Sequence, residues 1–170
     1  EVGAEPWHIM PPMGSEQDVR GLMEYLAAPA DGQHPYADRR AKLGQSAPWT
    51  KVFKRIHIEF GNEMWGEASA NDPFFGASAL GGERLGKMAN ERFAMLRENQ
   101  YFNQDKINLI IGGQFYYPGR QGEIDATGNN HREIALAPYF GDDKNHANDE
   151  ELFYPMFARP FEDVATDRMK

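Results

Sequence analysis

The chain has 170 residues, of which 26 are acidic and 18 basic, so its formal net charge is −8 at pH 7. An acidic surface repels a phosphate backbone, and we expect no nucleic-acid partner. The sequence contains no apolar run of the roughly 18 residues that a membrane span needs, so we expect no membrane association. Cysteine is absent, which excludes disulfide bonds, thiolate metal sites and a cysteine nucleophile.

The first predicted element is a helix that follows a proline-rich turn. Ser15 is a suitable N-cap, Asp18 stands three residues later as in a capping box, and the helix is expected to end before Pro29. Its apolar stripe is formed by Val19, Leu22, Met23 and Leu26. From 29 to 48 the composition predicts a connecting loop, in which 36–43 can form a helical turn or two.

Three strands and one more helix are predicted further along the chain. Between Val52 and Phe60, apolar and polar residues alternate, which predicts a strand that stops at Gly61. Residues 85–99 have the spacing of a long amphipathic helix. The runs 107–111 and 134–140 are continuously apolar, which is typical of strands buried on both faces.

The predicted order is helix, strand, helix, strand, loop, strand and a helical tail over 149–170. Strands separated by helical crossovers form a parallel sheet with right-handed connections. The expected fold class is therefore α/β. Because the sequence shows no repeat and no linker, we expect a single domain over residues 1–170.

The sequence Gly61-Asn62-Glu63 is the most informative for chemistry, because it stands at the carboxyl end of the clearest strand. Parallel sheets and barrels place reacting groups at that end. Trp49 before the strand and Trp65 after the glutamate add flat aromatic surface, which suits the apolar face of a sugar ring. This combination indicates a carbohydrate substrate.

The segment RIHIEFGNEMWG (55–66) resembles the fourth-strand motif of clan A glycoside hydrolases, which are (β/α)₈ barrels. Upstream, GLMEYLAAP (21–29) and YADRRAKLGQSAPW (36–49) resemble the third helix and its connection in α-L-arabinofuranosidase-like members. INLIIGGQ (107–114) and IALAPYFG (134–141) are similar to the fifth and sixth strands, and PWHIMPP (6–12) would be the third. The resemblance implies a partial TIM barrel that holds roughly strands three to six.

The resemblance also implies roles for individual residues. Glu63 would be the general acid/base, and Asn62 would bind the sugar hydroxyl next to the anomeric carbon. Tyr139 would lie near the nucleophile and orient it, and the other candidates for the sugar pocket are Trp49, Trp65, Gln114 and Tyr116. The nucleophile of the clan ends the seventh strand, which is not recognisable before Lys170, so we expect it outside this chain.

Other carboxylates and histidines are weaker candidates. Glu123 in a glycine-rich loop and Glu133 at the start of a strand are not expected to act as the nucleophile. Glu59 shares side-chain parity with Glu63, and it either faces the barrel interior or lies outward in a surface ion pair. A buried Glu59 would need a partner such as Arg39, Arg40 or Arg55. His57 is expected to be a hydrogen-bonded barrel residue, and we expect no metal and no cofactor.

These observations predict a retaining glycoside hydrolase that acts on an oligo- or polysaccharide of plant or microbial type. The alternatives are a non-catalytic carbohydrate-binding barrel fragment, or an unrelated α/β enzyme in which the motif is accidental. A second carboxylate opposite Glu63 would discriminate the first two. A barrel cut between strands has unpaired edges, so we expect association through them. The start at Glu1 fits a processed secreted protein, a trimmed chain or an internal fragment, and we expect an extracellular or periplasmic location.

Overall fold

The computed structural model describes residues 3–62, 64, 81–114 and 118–137. Within these residues the elements are, in chain order, β1 (Trp7–Met10), α1 (Glu16–Ala27), α2 (Pro35–Lys42), α3 (Trp49–Val52), β2 (Ile56–Phe60), α4 (Gly81–Arg97), β3 (Ile107–Gln114), α5 (Pro118–Asp125) and β4 (Glu133–Ala137). The predicted α/β class is confirmed. Among the helices described, none has the length and apolar character to cross a membrane.

The described strands form one parallel sheet in the order β1-β2-β3-β4. Met10 pairs with Phe60, and Phe60 pairs with Ile111 on the other side. Helices α1 to α3 connect β1 to β2, α4 connects β2 to β3, and α5 connects β3 to β4. Since all strands run in one direction, Met10, Phe60, Gln114 and Ala137 end at the same edge of the sheet, which we call the carboxyl edge.

The two faces of the sheet carry different side chains. On one face Ile56, Ile58 and Phe60 are buried in a core whose helical members include Val19, Met23, Leu26, Leu85, Ala89 and Phe93. The rings of Phe60 and Phe93 meet edge to face, 6.2 Å apart. Because side chains alternate along a strand, the intervening residues lie on the other face, which we call the second face: Trp7, Ile9, His57, Glu59, Asn108, Ile110 and Glu133.

The first helix begins and ends as predicted. The Ser15 hydroxyl accepts a hydrogen bond from the Asp18 backbone N–H, and the Asp18 carboxylate accepts one from the Ser15 backbone N–H. Both directions of the capping box are therefore present. The helix ends at Ala27, before Pro29.

The segment predicted as a connecting loop contains α2, which one arginine fastens to α1. Arg40 is fully buried, and its guanidinium donates to the carbonyl oxygens of Tyr25, Ala28, Gln45 and Ser46. Burial lowers the pKa of Arg40 from its ordinary value. Arg40 thus links the end of α1 to the residues that follow α2. The polar composition of the segment did not predict this buried arginine.

Two predicted boundaries are wrong. The strand begins at Ile56 and not at Val52, because Val52 ends the short helix α3. Helix α4 begins at Gly81, four residues before the predicted start. Strand β3 continues past the apolar run 107–111 to Gln114, which is the end of the segment that resembles the fifth strand.

The predicted loop around Glu123 is helix α5. Its two glycines lower its helical propensity, but packing against α4 outweighs this. A Cβ added at Gly86 would meet the backbone of Ile124, and one added at Gly82 would meet the carbonyl of Arg120. The glycines of α4 thus allow α5 to lie closely against it. The predicted helical tail over 149–170 lies outside the described residues.

Candidate active site

After β2 the chain turns at Gly61, and a backbone hydrogen bond links this turn to the end of β1. Gly61 has a φ of 69°, in the left-handed region that favours glycine, and its N–H donates to the carbonyl of Met10 over 2.9 Å. A Cβ at Gly61 would overlap the side chain of Met64, which is buried. Glycine therefore allows the chain to turn here and to fold Met64 against the end of the sheet.

Asn62 is exposed immediately after this turn. Because β2 ends at Phe60, Asn62 lies at the carboxyl edge. The alternation of apolar and polar residues predicted this end of the strand. Glu63, the predicted acid/base, and Trp65 lie outside the described residues. Of their neighbours in the chain, Asn62 and Met64 are described.

A cavity of about 220 Å³ opens between the carboxyl ends of β1 and β2. Its described lining consists of Ile9, Pro11, Pro12, Met13, Gly61, Asn62 and Met64. Among these residues, Asn62 has the only polar side chain. We call this space the apolar cavity.

The other predicted sugar-binding residues are only partly described. Gln114 is the last residue of β3 and so reaches the carboxyl edge, while Tyr116 and Tyr139 lie outside the described residues. Trp49 lies before the amino end of β2, and its ring stacks on that of Phe53 at 5.5 Å. It is half-buried against the core. The structure thus separates Trp49 from Asn62, and we leave Trp49 out of the proposed sugar-binding surface.

Four polar residues from different segments form a hydrogen-bonded row on the second face, which we call the polar row. His57 Nε2 lies 2.9 Å from Glu5 Oε2. Asn108 Nδ2 lies 3.0 Å from His57 Nδ1 and 2.8 Å from Glu133 Oε2. The prediction that His57 is hydrogen-bonded is confirmed, and its place in a barrel stays a prediction.

The carboxylate of Glu133 determines which groups donate and which accept in this row. A carboxylate only accepts hydrogen bonds, so Asn108 presents its NH₂ group to Glu133 and, with the second hydrogen, to His57 Nδ1. His57 Nδ1 then accepts from Asn108, and His57 Nε2 donates to Glu5. This hydrogen bond lowers the pKa of the Glu5 carboxyl. Asn108 is fully buried, and its Oδ1 has no hydrogen-bond partner among the described residues, so the two donated bonds alone orient the amide.

Glu59 also lies on the second face, and its partner is a tryptophan. The Trp7 indole N–H donates to Glu59 Oε2 over 2.8 Å, and the Trp7 ring stacks on His57 at 5.2 Å. Burial raises the pKa of Glu59, and the hydrogen bond from Trp7 partly opposes this shift. Arg40, one of the arginines suggested as its partner, donates instead to backbone carbonyls at the end of α1.

The polar row stands away from the carboxyl edge. His57 lies three residues before Phe60, where β2 ends, and at about 3.3 Å per residue this is about 10 Å along the strand. A polar cluster at the amino ends of parallel strands is typical of a stabilising role. The sequence signal that could have found this row is Asn108, the one polar residue inside the apolar run of β3.

Two further cavities lie elsewhere in the described structure. One of about 740 Å³ lies beside the first turns of α4 and is lined in part by Glu83, Lys87 and Glu123. The other, of about 330 Å³, lies near the amino end of β3 beside His131 and Arg132. Across residues 3–62, 64, 81–114 and 118–137, no three His, Cys, Asp or Glu side chains converge in a way that could hold a metal ion.

Comparisons with protein-family models, with curated proteins and with solved structures found no match to this chain. The functional interpretation therefore depends on the sequence motif and on the geometry of the carboxyl edge.

Proposed function

We propose that this chain carries the acid/base side of a retaining glycoside hydrolase that cleaves oligo- or polysaccharides. Glu63 is the general acid/base, and Asn62 binds the hydroxyl next to the anomeric carbon. The observation that supports this most is the turn at Gly61, which leaves Asn62 exposed beside a cavity at the carboxyl edge of a parallel sheet. Ligands of parallel α/β sheets bind at this edge.

The proposed reaction proceeds through two displacements. In the first, Glu63 donates its proton to the glycosidic oxygen while that oxygen leaves the anomeric carbon and a second carboxylate bonds to the same carbon. In the second, Glu63 removes a proton from water, and the water oxygen displaces the carboxylate. The aglycone leaves as an alcohol, and the sugar is released with its original anomeric configuration.

The proposed architecture is a partial (β/α)₈ barrel in which β1 to β4 are strands three to six. The parallel order of the described strands and the helical connections between them are compatible with this assignment. The nucleophile would then end a later strand outside this chain.

A non-catalytic carbohydrate-binding fragment is the second candidate function. The observation that supports it is the same as for the first candidate, namely the exposed Asn62 beside a cavity at the carboxyl edge. Such a fragment would bind oligosaccharides at the carboxyl edge without hydrolysing them. It would also bind them equally well after Glu63→Gln, because no proton transfer is involved.

The test is the replacement Glu63→Gln in the full-length protein. A general acid contributes about 10²- to 10⁴-fold to the rate, so we expect turnover of alkyl glycosides, which have poor leaving groups, to fall by about that factor. Nitrophenyl glycosides need less protonation of the leaving oxygen, so their first step should fall much less. The measurement is kcat/KM for the two classes of substrate.

The matched control is Glu98→Gln, which changes the same functional group at an exposed position next to α4. Its kcat/KM should stay within about twofold of the parent value, as is usual for surface substitutions. Equal activity of Glu63→Gln and Glu98→Gln on alkyl glycosides would overturn the proposed role. Binding without any hydrolysis by the parent protein would favour the second candidate.

A further inference from the structure

We propose that the cavity near the amino end of β3 is a binding site for a small tetrahedral oxyanion, a phosphate group. Its volume is about 330 Å³, and its lining includes Arg97, His131 and Arg132. We call this space the cationic cavity. It lies at the opposite end of the sheet from Asn62, so the inference is independent of the proposed function.

The two arginines of the cationic cavity form no ion pair with a carboxylate in the part of the chain that the structure describes. Arg97 Nε donates to the carbonyl of Asn130 over 2.8 Å, and its guanidinium lies 5.5 Å from the centre of the Phe102 ring. Arg132 Nη1 donates to the carbonyl of Gln104 over 3.3 Å. Each guanidinium has five N–H donors, so these contacts position the arginines and leave most of their donors for a ligand.

His131 supplies a third binding group. Its side chain is 4% exposed, and its Nε2 lies 2.5 Å from Oδ1 of Asp125. An ionised carboxylate only accepts hydrogen bonds, so Nε2 carries the hydrogen of this pair. Nδ1 bonds to no described residue and is still accessible to solvent. Because His131 lines the cavity, Nδ1 is the atom that a ligand there can reach.

These three groups together suit a phosphate better than a carboxylate. Arginine binds the oxygens of either anion in pairs, but a phosphate group presents three acceptor oxygens and a carboxylate two. A phosphate can therefore bond both guanidinium groups and the imidazole at once. Hydrogen phosphate also matches either form of His131, since its O–H donates to a neutral Nδ1 and its other oxygens accept from a protonated one.

The surroundings of the cationic cavity favour an anion although the chain has a net charge of −8. Ile107 and Leu109 are buried and contribute apolar lining, and charges interact more strongly beside apolar surface than in water. Among the described lining residues Asp105 is the only carboxylate. It is exposed, so water weakens its repulsion. A cleft with an excess of one charge concentrates ions of the opposite charge.

The first experiment measures binding of inorganic phosphate to the chain by isothermal titration calorimetry at low ionic strength. Arg132→Gln removes charge-assisted hydrogen bonds, so we expect its Kd to rise about tenfold or more. The control Arg20→Gln removes the same charge from an exposed position on α1 and should change Kd by less than about twofold. Absence of binding by the parent chain, or equal Kd values in the two variants, would overturn the inference.

The variant Asp105→Asn tests the site in the opposite direction, and a gain in affinity cannot come from a failure to fold. Loss of the repelling charge should lower the Kd for phosphate about two- to fivefold. The control is Glu16→Gln, which removes one negative charge at an exposed position on α1. An affinity no higher in Asp105→Asn than in Glu16→Gln would contradict the placement of the anion in this cavity.

The ¹⁵N NMR signals of the histidines test the contact with His131. Saturation with inorganic phosphate should shift the signal of His131 Nδ1. His34 is the control, because both of its nitrogens already have partners, Asp31 and Tyr101, and its signals should stay in place. An unchanged His131 signal at saturation would overturn its role in the site.

Glycerol 3-phosphate distinguishes the two sources of a phosphate group. Tighter binding of glycerol 3-phosphate than of inorganic phosphate would identify the ligand as a phosphate monoester, and weaker binding would identify it as the free ion. Both results support the site if they depend on Arg132. Failure of both compounds to bind would overturn it.

Discussion

The polar row lies on the second face of the sheet and the apolar cavity lies at its carboxyl edge, and the two regions use their side chains in opposite ways. In the polar row, Glu5, His57, Asn108 and Glu133 direct their hydrogen bonds toward one another. At the apolar cavity, Met13 and Asn62 are exposed to solvent. The comparison teaches that the cluster richest in titratable groups need not be the reactive one, because groups already bonded to each other are poorly placed to bind a ligand.

The substitution expected to disturb the polar row most is Asn108→Asp. It would place a buried carboxylate within hydrogen-bond distance of Glu133 and remove both donated hydrogen bonds. Uncompensated buried charges cost about 3 to 5 kcal/mol, so we expect the free energy of unfolding at pH 7 to fall by about that amount. The measurement is urea unfolding.

The loss caused by Asn108→Asp should depend on pH. Burial beside another carboxylate raises the pKa of the new group in the folded state, so the folded chain binds a proton more tightly than the unfolded chain. The loss should therefore shrink as the pH falls. Asn103→Asp, at an exposed position, is the control and should change stability little. A loss of the same size at all pH values would contradict this account of the row.

The turn at the carboxyl edge is tested by Gly61→Ala. Alanine at a positive φ costs about 1 to 2 kcal/mol, and overlap with the Met64 side chain adds about 1 to 3 kcal/mol as overpacking does. We expect a total loss of about 3 kcal/mol in the free energy of unfolding. Chemical denaturation followed by tryptophan fluorescence measures it.

The matched control for this turn is Gly32→Ala. Gly32 also has a positive φ, of 81°, but a Cβ there would meet no atom within 4 Å. It should therefore show only the backbone cost. Equal losses in the two variants would mean that Met64 does not pack against Gly61 as described.

The smallest expected effect concerns Glu59, which lies between the two regions. Its pKa is raised in the folded state, so the folded chain binds this proton more tightly and the free energy of unfolding decreases as the pH rises past the pKa of the group. Glu59→Gln removes that dependence and keeps an oxygen that can accept from Trp7. We expect the variant to be more stable than the parent at pH 7 by less than about 1 kcal/mol, since Glu59 is half-exposed.

Below the pKa of unfolded glutamate, at about pH 3, the Glu59→Gln variant and the parent should be equally stable. Thermal unfolding at the two pH values measures the difference, with Glu98→Gln as the control. A variant that is less stable than the parent at pH 7 would show that the charge of Glu59 stabilises the fold, contrary to the direction of its pKa.

Local sequence patterns predicted the elements whose boundaries are set by residues close together in the chain. Ser15 and Asp18 predicted the start of α1, and alternation around Ile58 predicted β2 and its end at Gly61. Helix α5 was missed because its stability comes from packing against Gly82 and Gly86 of α4 and not from its own glycine-containing sequence.

In the candidate site, too, sequence patterns predicted what depends on neighbouring residues and missed what depends on tertiary contacts. Asn62 was predicted from its position after a strand, and the structure has it there. The polar row was not assembled from the sequence, because Glu5, His57, Asn108 and Glu133 are distant along the chain and meet only through the parallel register. The proline and methionine residues that line the apolar cavity form no recognisable sequence motif.

The most direct test of the central claim is product analysis of the full-length Glu63→Gln variant in the presence of sodium azide. Azide needs no general base, so it can attack the anomeric carbon of the glycosyl-enzyme that the variant cannot hydrolyse efficiently. We predict that azide accelerates turnover of a nitrophenyl glycoside and yields a glycosyl azide with the anomeric configuration of the substrate. No glycosyl azide from Glu63→Gln, or as much of it from Glu98→Gln, would contradict the assignment of Glu63 as the acid/base.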